Sequence, residues 1–260
     1  MSKKLWETLS ELKSESYKWI DLSHEFGPET PHWHGFEPLG CRKLFDYAAP
    51  APGETWGEAP MRVYEYTVAG QYGTHVDIPA HFAPGGRTQE QIRVDELVYP
   101  LAVIDKSGAV SENPDYALSI QDVLDWEKTY GEIPAGAFVA FRTDWYKRPA
   151  ENFDNNDANG VPHYPGWDVA TIEFLVVQRN IGAIGHETSD TDPGFITGNP
   201  DIYPYPGEKY ILDQDRIQIE LLANLDQVPA VGGIIFTAFP KLKDGVGFPA
   251  RVFAVVPNAA

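Results

Sequence analysis

Within eleven residues, Gln71-Tyr-Gly-Thr-His75-Val-Asp77-Ile-Pro-Ala-His81 gathers four side chains able to bind a cation or transfer a proton. Side chains two apart on an extended chain share a face, so Gln71, His75, Asp77 and His81 can converge. Gly73 and Pro79 interrupt the stretch and predict a bent path rather than a flat strand. Imidazole nitrogen and carboxylate oxygen suit a divalent cation. The same spacing also suits a pair of core histidines beside a turn aspartate, and spacing alone leaves both readings open.

The other elements alternate in kind. Lys3–Lys18 reads as an amphipathic helix with Leu5, Leu9 and Leu12 on one face, and Trp19–Ser23 as extended. The next forty residues, rich in Pro and Gly, read as irregular. They carry Trp33, Phe36, Phe45, Tyr47 and Trp56, either as a wall over an organic substrate or as a surface loop pinned by its own side chains. Arg62–Ala69, Leu101–Asp105, Ala137–Arg142, Ile181–Ile184, Gly233–Phe239 and Val252–Val256 read as strands. Helices are predicted from Ser119, with capping-box spacing, to near Gly131, and over Asp168–Arg179. The expectation is one mixed α/β domain over residues 1–260 without a linker.

Composition narrows the function. Hydrophobic residues make up 43% and charged residues 22%, enough for a sizeable core. The 20 Lys and Arg against 38 Asp and Glu give a net charge of −18, which repels nucleic acid and anionic membranes. No apolar run reaches the roughly 18 residues of a membrane span. Met1–Ser16 lacks a signal-peptide core, so the expected location is cytoplasmic. The single cysteine, Cys41, excludes an internal disulfide. Nucleophile-elbow, phosphate-loop and dinucleotide-turn motifs are absent, and His186-Glu187 does not continue into a zinc-protease motif.

The Gln71–Phe82 segment closely resembles the H-x-G-T-H-x-D-x-P-x-H signature of the cyclase family of metal-dependent hydrolases. That family includes kynurenine formamidases, isatin hydrolases and trans-dienelactone hydrolases. Trp19-Ile-Asp-Leu-Ser23, Glu220-Leu-Leu-Ala-Asn-Leu-Asp226 and Gly247-Phe-Pro-Ala-Arg251 are similar to its opening strand, its late E-x-L-x-N-L-D segment and its C-terminal stretch. The resemblance implies a swivelling β/β/α fold and a homodimer or homotetramer, with residues 1–60 as a segment for subunit exchange and pocket cover. It implies His75, Asp77 and Glu220 as metal ligands and His81 as the catalytic proton carrier. Two positions depart from the pattern. Gln71 replaces the first histidine, and Glu208, twelve residues before Glu220, replaces a late one. Either Glu208 ligates, or His186 moves in from another strand, or Glu208 stands behind the ligands.

With Gln71 as a ligand the set becomes oxygen-rich, which brings Mn²⁺ or Mg²⁺ beside Zn²⁺. A cation of this kind lowers the pKa of water toward about 7 and polarises a carbonyl. The activity implied is hydrolysis of a cyclic ester, cyclic amide or aryl formamide, a small-molecule reaction. Gln71 tilts the choice toward the lactone side. The rivals are an arylformamidase of the kynurenine formamidase type and a metal-containing binding protein without turnover.

Other polar groups carry two readings each. His32 and His34 either face the site or form a solvated loop pair. His186 and Glu187, at a strand end, either line the site or lie behind it. Asn155-x-Asp157-x-Asn159-Gly160 resembles half a calcium loop but has Gly166 where a bidentate glutamate is needed, so a turn is the better account.

Overall fold

A computed structural model describes residues 3–199, 201 and 203–258. Helix α1 (Lys4–Leu12) leads to strand β1 (Tyr17–Asp21). Strands β2 (Gly40–Asp46), β3 (Gly57–Glu58) and β4 (Val63–Thr67) form a small sheet ordered β3-β2-β4. Next come β5 (His75–Asp77), β6 (Val98–Asp105), α2 (Ser107–Glu112), β7 (Ala117–Leu118), α3 (Ile120–Tyr130) and β8 (Phe138–Arg142). Strand β9 (Gly166–Trp167) pairs with β7, and α4 (Val169–Arg179) leads to β10 (Ala183–His186). Helices α5 (Gly194–Thr197) and α6 (Pro206–Asp213) precede β11 (Ile217–Glu220). The described chain closes with β12 (Gly233–Ala238), β13 (Gly247–Pro249) and β14 (Arg251–Pro257).

Among the described residues the main sheet has nine strands, ordered β1-β14-β12-β6-β8-β10-β11-β5-β13. Strands β6, β8, β10 and β11 are parallel, as helical crossovers require, and every other pairing in this sheet is antiparallel. Alternation splits each strand between two cores. Leu101, Val103, Phe138 and Ala140 enter one, while Ala102, Ile104, Val139 and Phe141 enter the other. The second core also takes Ile172 and Leu175 of α4 and Ile211 and Leu212 of α6. The first joins Ile20 of β1 to Val76 of β5 from the two ends of the sheet, so the sheet curls around it. A mixed α/β domain with one large curled sheet is the result.

Several boundaries differ from the sequence reading. Helix α1 ends at Leu12 because Tyr17–Asp21 is captured by β14, where Trp19 stacks on Phe253 at 5.8 Å. No residue of α1 is buried, so its leucines are not core. The stretch after Ser23 is not wholly irregular. Strand β2 lies in it, unseen because Cys41-Arg42-Lys43 breaks the apolar alternation, and Arg42 pairs across the sheet with Glu65 at 2.8 Å. The strand expected at Ile181–Ile184 runs two residues later, to His186. Helix α3 begins as its spacing predicts: the Ser119 hydroxyl accepts from the Asp122 amide at 3.3 Å, and Asp122 accepts the Ser119 amide at 2.9 Å. Asp157 accepts amides of Asn159 and Val161 at 2.8 and 2.9 Å, which is the expected turn.

Candidate metal centre

Strand β5 is short because both its ends are bent. Gly73, with φ +63°, turns the chain in, and Pro79 starts a tight turn over Pro79–His81. In between, Val76 points into the first core, which leaves His75 and Asp77 on the helix face. Strand β11 runs antiparallel beside it, pairing Glu220 with His75 and Gln218 with Asp77. Ile217 and Ile219 take the core face there, so Gln218 and Glu220 join His75 and Asp77 on the other. Beyond Glu220 the chain swings away through Leu221, held at φ 55° because its carbonyl accepts the Thr74 hydroxyl at 2.6 Å.

His75 Nε2 lies 3.4 Å from Asp77 Oδ2 and 3.5 Å from Glu220 Oε2. Its Nδ1 lies 2.8 Å from the Gly73 carbonyl, an acceptor only, so Nδ1 carries the proton and Nε2 faces the carboxylates. Donor atoms of His75, Asp77 and Glu220 all fall within 4.8 Å of one another, and so do those of Asp77, His81 and Glu208. His81 Nε2 is 3.7 Å from Glu208 Oε1 and 3.9 Å from Asp77 Oδ1. Glu208 is carried by α6, whose first-turn amides at Gly207 and Glu208 donate to Asp192 at 2.8 and 3.1 Å.

The electrostatics explain what such a cluster needs. Burial raises Glu208 and Glu220 well above the usual carboxylate range, and neighbouring carboxylates, Asp77 and Asp190 among them, add to it. Burial and nearby acids push Asp190 to about 7. Burial also opposes charge on His75 and Asp77, but their mutual attraction prevails, raising the imidazole and lowering the carboxyl. A proton on His75 thus does part of what a cation would do. Asp77 Oδ1 and Gln71 Nε2 are buried without a hydrogen-bond partner. Turning the Gln71 amide over puts its carbonyl oxygen at the same place. Unpartnered polar atoms, crowded carboxylates and a correctly presented imidazole together fit a divalent cation.

The sequence-predicted residues divide cleanly. Gln71, His75, Asp77, His81, Glu208 and Glu220 line one cleft of about 220 Å³. His186 stands behind it. Its Nδ1 accepts the Trp167 indole N–H at 3.2 Å, and burial lowers its pKa to about 3. The proton is therefore on Nε2, 3.3 Å from Glu220 Oε1, and His186 has no lone pair to offer a cation. Glu187 is buried away from the cleft, where its Oε2 accepts from the Thr143 amide and hydroxyl and the Trp145 amide at 3.0, 2.8 and 3.0 Å. His32 stacks on Tyr72 at 4.4 Å and His34 pairs with Asp154 at 3.0 Å; neither lines the cleft. Of the loop aromatics, Trp33 and Phe36 form part of the wall, with Phe82 and Tyr205. Phe45 instead belongs to β2 of the small sheet, and Trp56 lies just before β3 with Lys43 3.9 Å above its ring.

Sequence reasoning passed over Gln218 and Tyr205. Gln218 was legible, since it stands two residues before Glu220 on a strand. Tyr205 was not, because a loop brings it in. Ser189 and Asp190, in the polar run after β10 that also carries His186 and Glu187, do line the cleft.

Gly247 on β13 shows why the C-terminal stretch carries a glycine. A Cβ there would come within 2.4 Å of Gln71 Nε2, 2.7 Å of the Val76 carbonyl and 3.1 Å of Asp77 Oδ1. At the other end of that stretch, Arg251 binds both oxygens of Asp21 at 3.0 and 2.6 Å and clamps β1 to β14.

The chain is similar to known proteins along most of its length. The model of the family described as "Putative cyclase" matches residues 20–193. An isatin hydrolase of Roseibium aggregatum is 32% identical over 258 residues, 96% of each chain. A kynurenine formamidase of Erythrobacter litoralis is 24% identical over 96% of this chain and 100% of its own. The structure of isatin hydrolase A from Labrenzia aggregata, bound to benzyl benzoate, superposes with a TM-score of 0.87 at 31% identity, covering 98% of this chain and 100% of that one. The chain belongs to the cyclase family. Within it, the protein is a metal-dependent hydrolase.

Replacing Gly247 by alanine is expected to push Gln71 and Asp77 aside and weaken divalent-cation uptake about ten-fold or more. Calorimetric titration of metal-free protein measures it; unchanged affinity would mean that neither residue reaches the cation.

Proposed function

We propose that this hydrolase opens the ring of a small, neutral cyclic amide or ester fused or attached to an aromatic ring. The observation that carries this is the lining of the cleft. Trp33, Phe36, Phe82 and Tyr205 supply flat apolar surface, and Asp77, Asp190, Glu208 and Glu220 supply acid. Among the described residues no Lys or Arg lines it. Outside the cation's own position a substrate carboxylate would meet four acids and no Lys or Arg, whereas an uncharged ring would meet aromatic faces. About 220 Å³ lies below the usual span of drug-sized pockets, roughly 300–1,000 Å³, and suits one or two rings. The likeness to isatin hydrolase across 96% of the chain supports the cyclic amide over the formamide.

His75, Asp77, Glu220 and Gln71 would hold the cation. Their oxygen-rich set points to Mn²⁺ or Zn²⁺, with Mg²⁺ as the harder alternative. When bound, the ion supplies a Lewis acid for the carbonyl and an acidified water. His81, 30% exposed at its side chain, sits at the open end of the cluster and moves the proton. It takes one from the attacking water and gives it to the leaving nitrogen or oxygen as the carbonyl C–N or C–O bond breaks. Glu208, 3.7 Å away, is near enough to hold that proton in between. A second reading makes His81 a ligand, because Asp77, His81 and Glu208 are themselves close enough to grip an ion.

Features of the surface support a homo-oligomer and a cytoplasmic location. Leu5 and Trp6 of α1 are 82% and 73% exposed, an apolar face fit to be covered by a second copy in a homodimer or homotetramer. Cys41 is an exposed free thiol, consistent with the cytoplasm. No helix among the described residues is long and apolar enough to cross a membrane.

Elemental analysis followed by a hydrolysis panel with Mn²⁺ and Zn²⁺ tests the main reading. Neutral benzo-fused cyclic amides and lactones should show higher kcat/KM than an aryl formamide bearing an amino-acid side chain; the reverse order would make the protein an arylformamidase. The His81→Ala protein should keep its metal while kcat falls about 10²–10⁴-fold. Loss of metal in that variant would establish the second reading. A Leu5→Glu/Trp6→Glu protein should sediment at a smaller mass than wild type; equal masses would remove α1 from any subunit contact.

A further inference from the structure

A second pocket, of about 430 Å³, adjoins the metal-site cleft. Trp33, Tyr205 and Asp190 line both spaces and form the boundary between them. The remaining walls take no part in the chemistry above. They come from the turn over 155–162, from Tyr164 and from Thr197 of α5. The turn that the sequence offered as half a calcium loop is therefore a pocket wall.

The walls brace each other. The Gly194 amide donates to the Tyr164 carbonyl at 2.9 Å, and a Cβ on Gly194 would come within 2.6 Å of the Pro162 carbonyl oxygen. Helix α5 thus lies against the end of the turn as closely as the backbone permits.

The chemistry of this pocket is one-sided. Among the described residues no Lys or Arg lines it. Its one carboxylate, Asp190, is 6% exposed, and its Oδ2 accepts the Tyr164 hydroxyl. No other donor among the described residues bonds to that carboxylate, so Oδ1 keeps its lone pairs free. The Tyr164 hydroxyl also lies 2.6 Å from Thr197 Oγ1, which anchors the tyrosine to α5. His34, on the same wall, is occupied by Asp154 at 3.0 Å. Trp33, Tyr164 and Tyr205 supply aromatic rings.

A buried acid with a free oxygen, set among aromatic rings and without a competing cation from the chain, suits an organic ammonium group. We infer that this pocket receives an alkylammonium substituent of the substrate. The uncharged ring opens in the metal-site cleft, while its arene carries an amine past Trp33 and Tyr205 to Asp190. A hydroxyl in the same place would find the acceptor but not the attraction between cation and ring, and a carboxylate would meet Asp190 as a like charge. The inference rests on the ring-opening reading above and adds the other half of the substrate.

Its test uses benzo-fused cyclic amides bearing an aminomethyl group at each open arene position, and their methyl counterparts. Wild type, Asp190→Asn, Asn156→Arg and Asn159→Arg are assayed, each supplied with Mn²⁺ or Zn²⁺. The readout is the ratio of kcat/KM, aminomethyl over methyl, which cancels any general loss of activity. Wild type should favour the amine about ten-fold or more for at least one isomer. The gain should lie in KM, because the amine is remote from the bond that breaks. Asp190→Asn keeps the shape and an acceptor for Tyr164 and should abolish the preference. Either arginine adds a cation to the pocket wall and should reduce it. A wild type that turns over the methyl compounds but prefers no amine would overturn the inference and leave the ring-opening reading standing. So would a preference that survives in Asp190→Asn or, if that variant does not fold, in both arginine variants. Turnover of neither series would instead overturn the ring-opening reading, and the inference with it.

Discussion

Pairing of β5 with β11 is the contact on which the centre depends. It is antiparallel, only three residues long, and joins segments more than 140 positions apart. Its register sets Glu220 against His75 and Gln218 against Asp77. A slip of one residue would send Val76 and Ile219 to the acidic side and the charged groups into an apolar core. The penalty for burying unpaired carboxylates there makes the register self-enforcing. Hydrophobic burial of Val76, Ile217 and Ile219 thus aligns charges that would otherwise drive the strands apart.

The same crowding links fold to chemistry. Burial and mutual repulsion lift Glu208, Glu220 and Asp190. A cation held among these groups would offset that repulsion, and its uptake would be coupled to their protonation. On the proposed reading, selectivity for the substrate comes from the other wall. Trp33 and Phe36 arrive from a Pro-rich segment, Phe82 from the turn after β5 and Tyr205 from the approach to α6. Charge on one side and flat apolar surface on the other leave room for a polar reacting group with an aromatic body.

Much of the centre was legible in the sequence, because alternation along an extended chain is a local rule. His75 and Asp77 share a face by parity alone, and Glu220 came with the late segment. Gly73 and Pro79 mark the two bends that the structure has. The roles of Glu208 and His186 were not legible. Each depends on a third partner from elsewhere in the chain, Asp192 for the helix that carries Glu208 and Trp167 for the tautomer of His186. The strand at Gly40–Asp46 was hidden for a different reason. Its stability comes from cross-strand pairs such as Arg42 with Glu65, which leave no apolar pattern to detect. His32 and His34 carried two readings because a histidine in a loop finds local partners, here a tyrosine ring and an aspartate, as readily as a catalytic centre.

The tether between Asp192 and the first turn of α6 has a mechanical consequence. One carboxylate grips the amides of Gly207 and Glu208, so the loop after β10 and the start of the helix travel as a single piece. Tyr205 sits at the lip of that piece and Glu208 at its root. A displacement of this piece that widened the cleft at Tyr205 would also carry Glu208 away from His81, 3.7 Å distant.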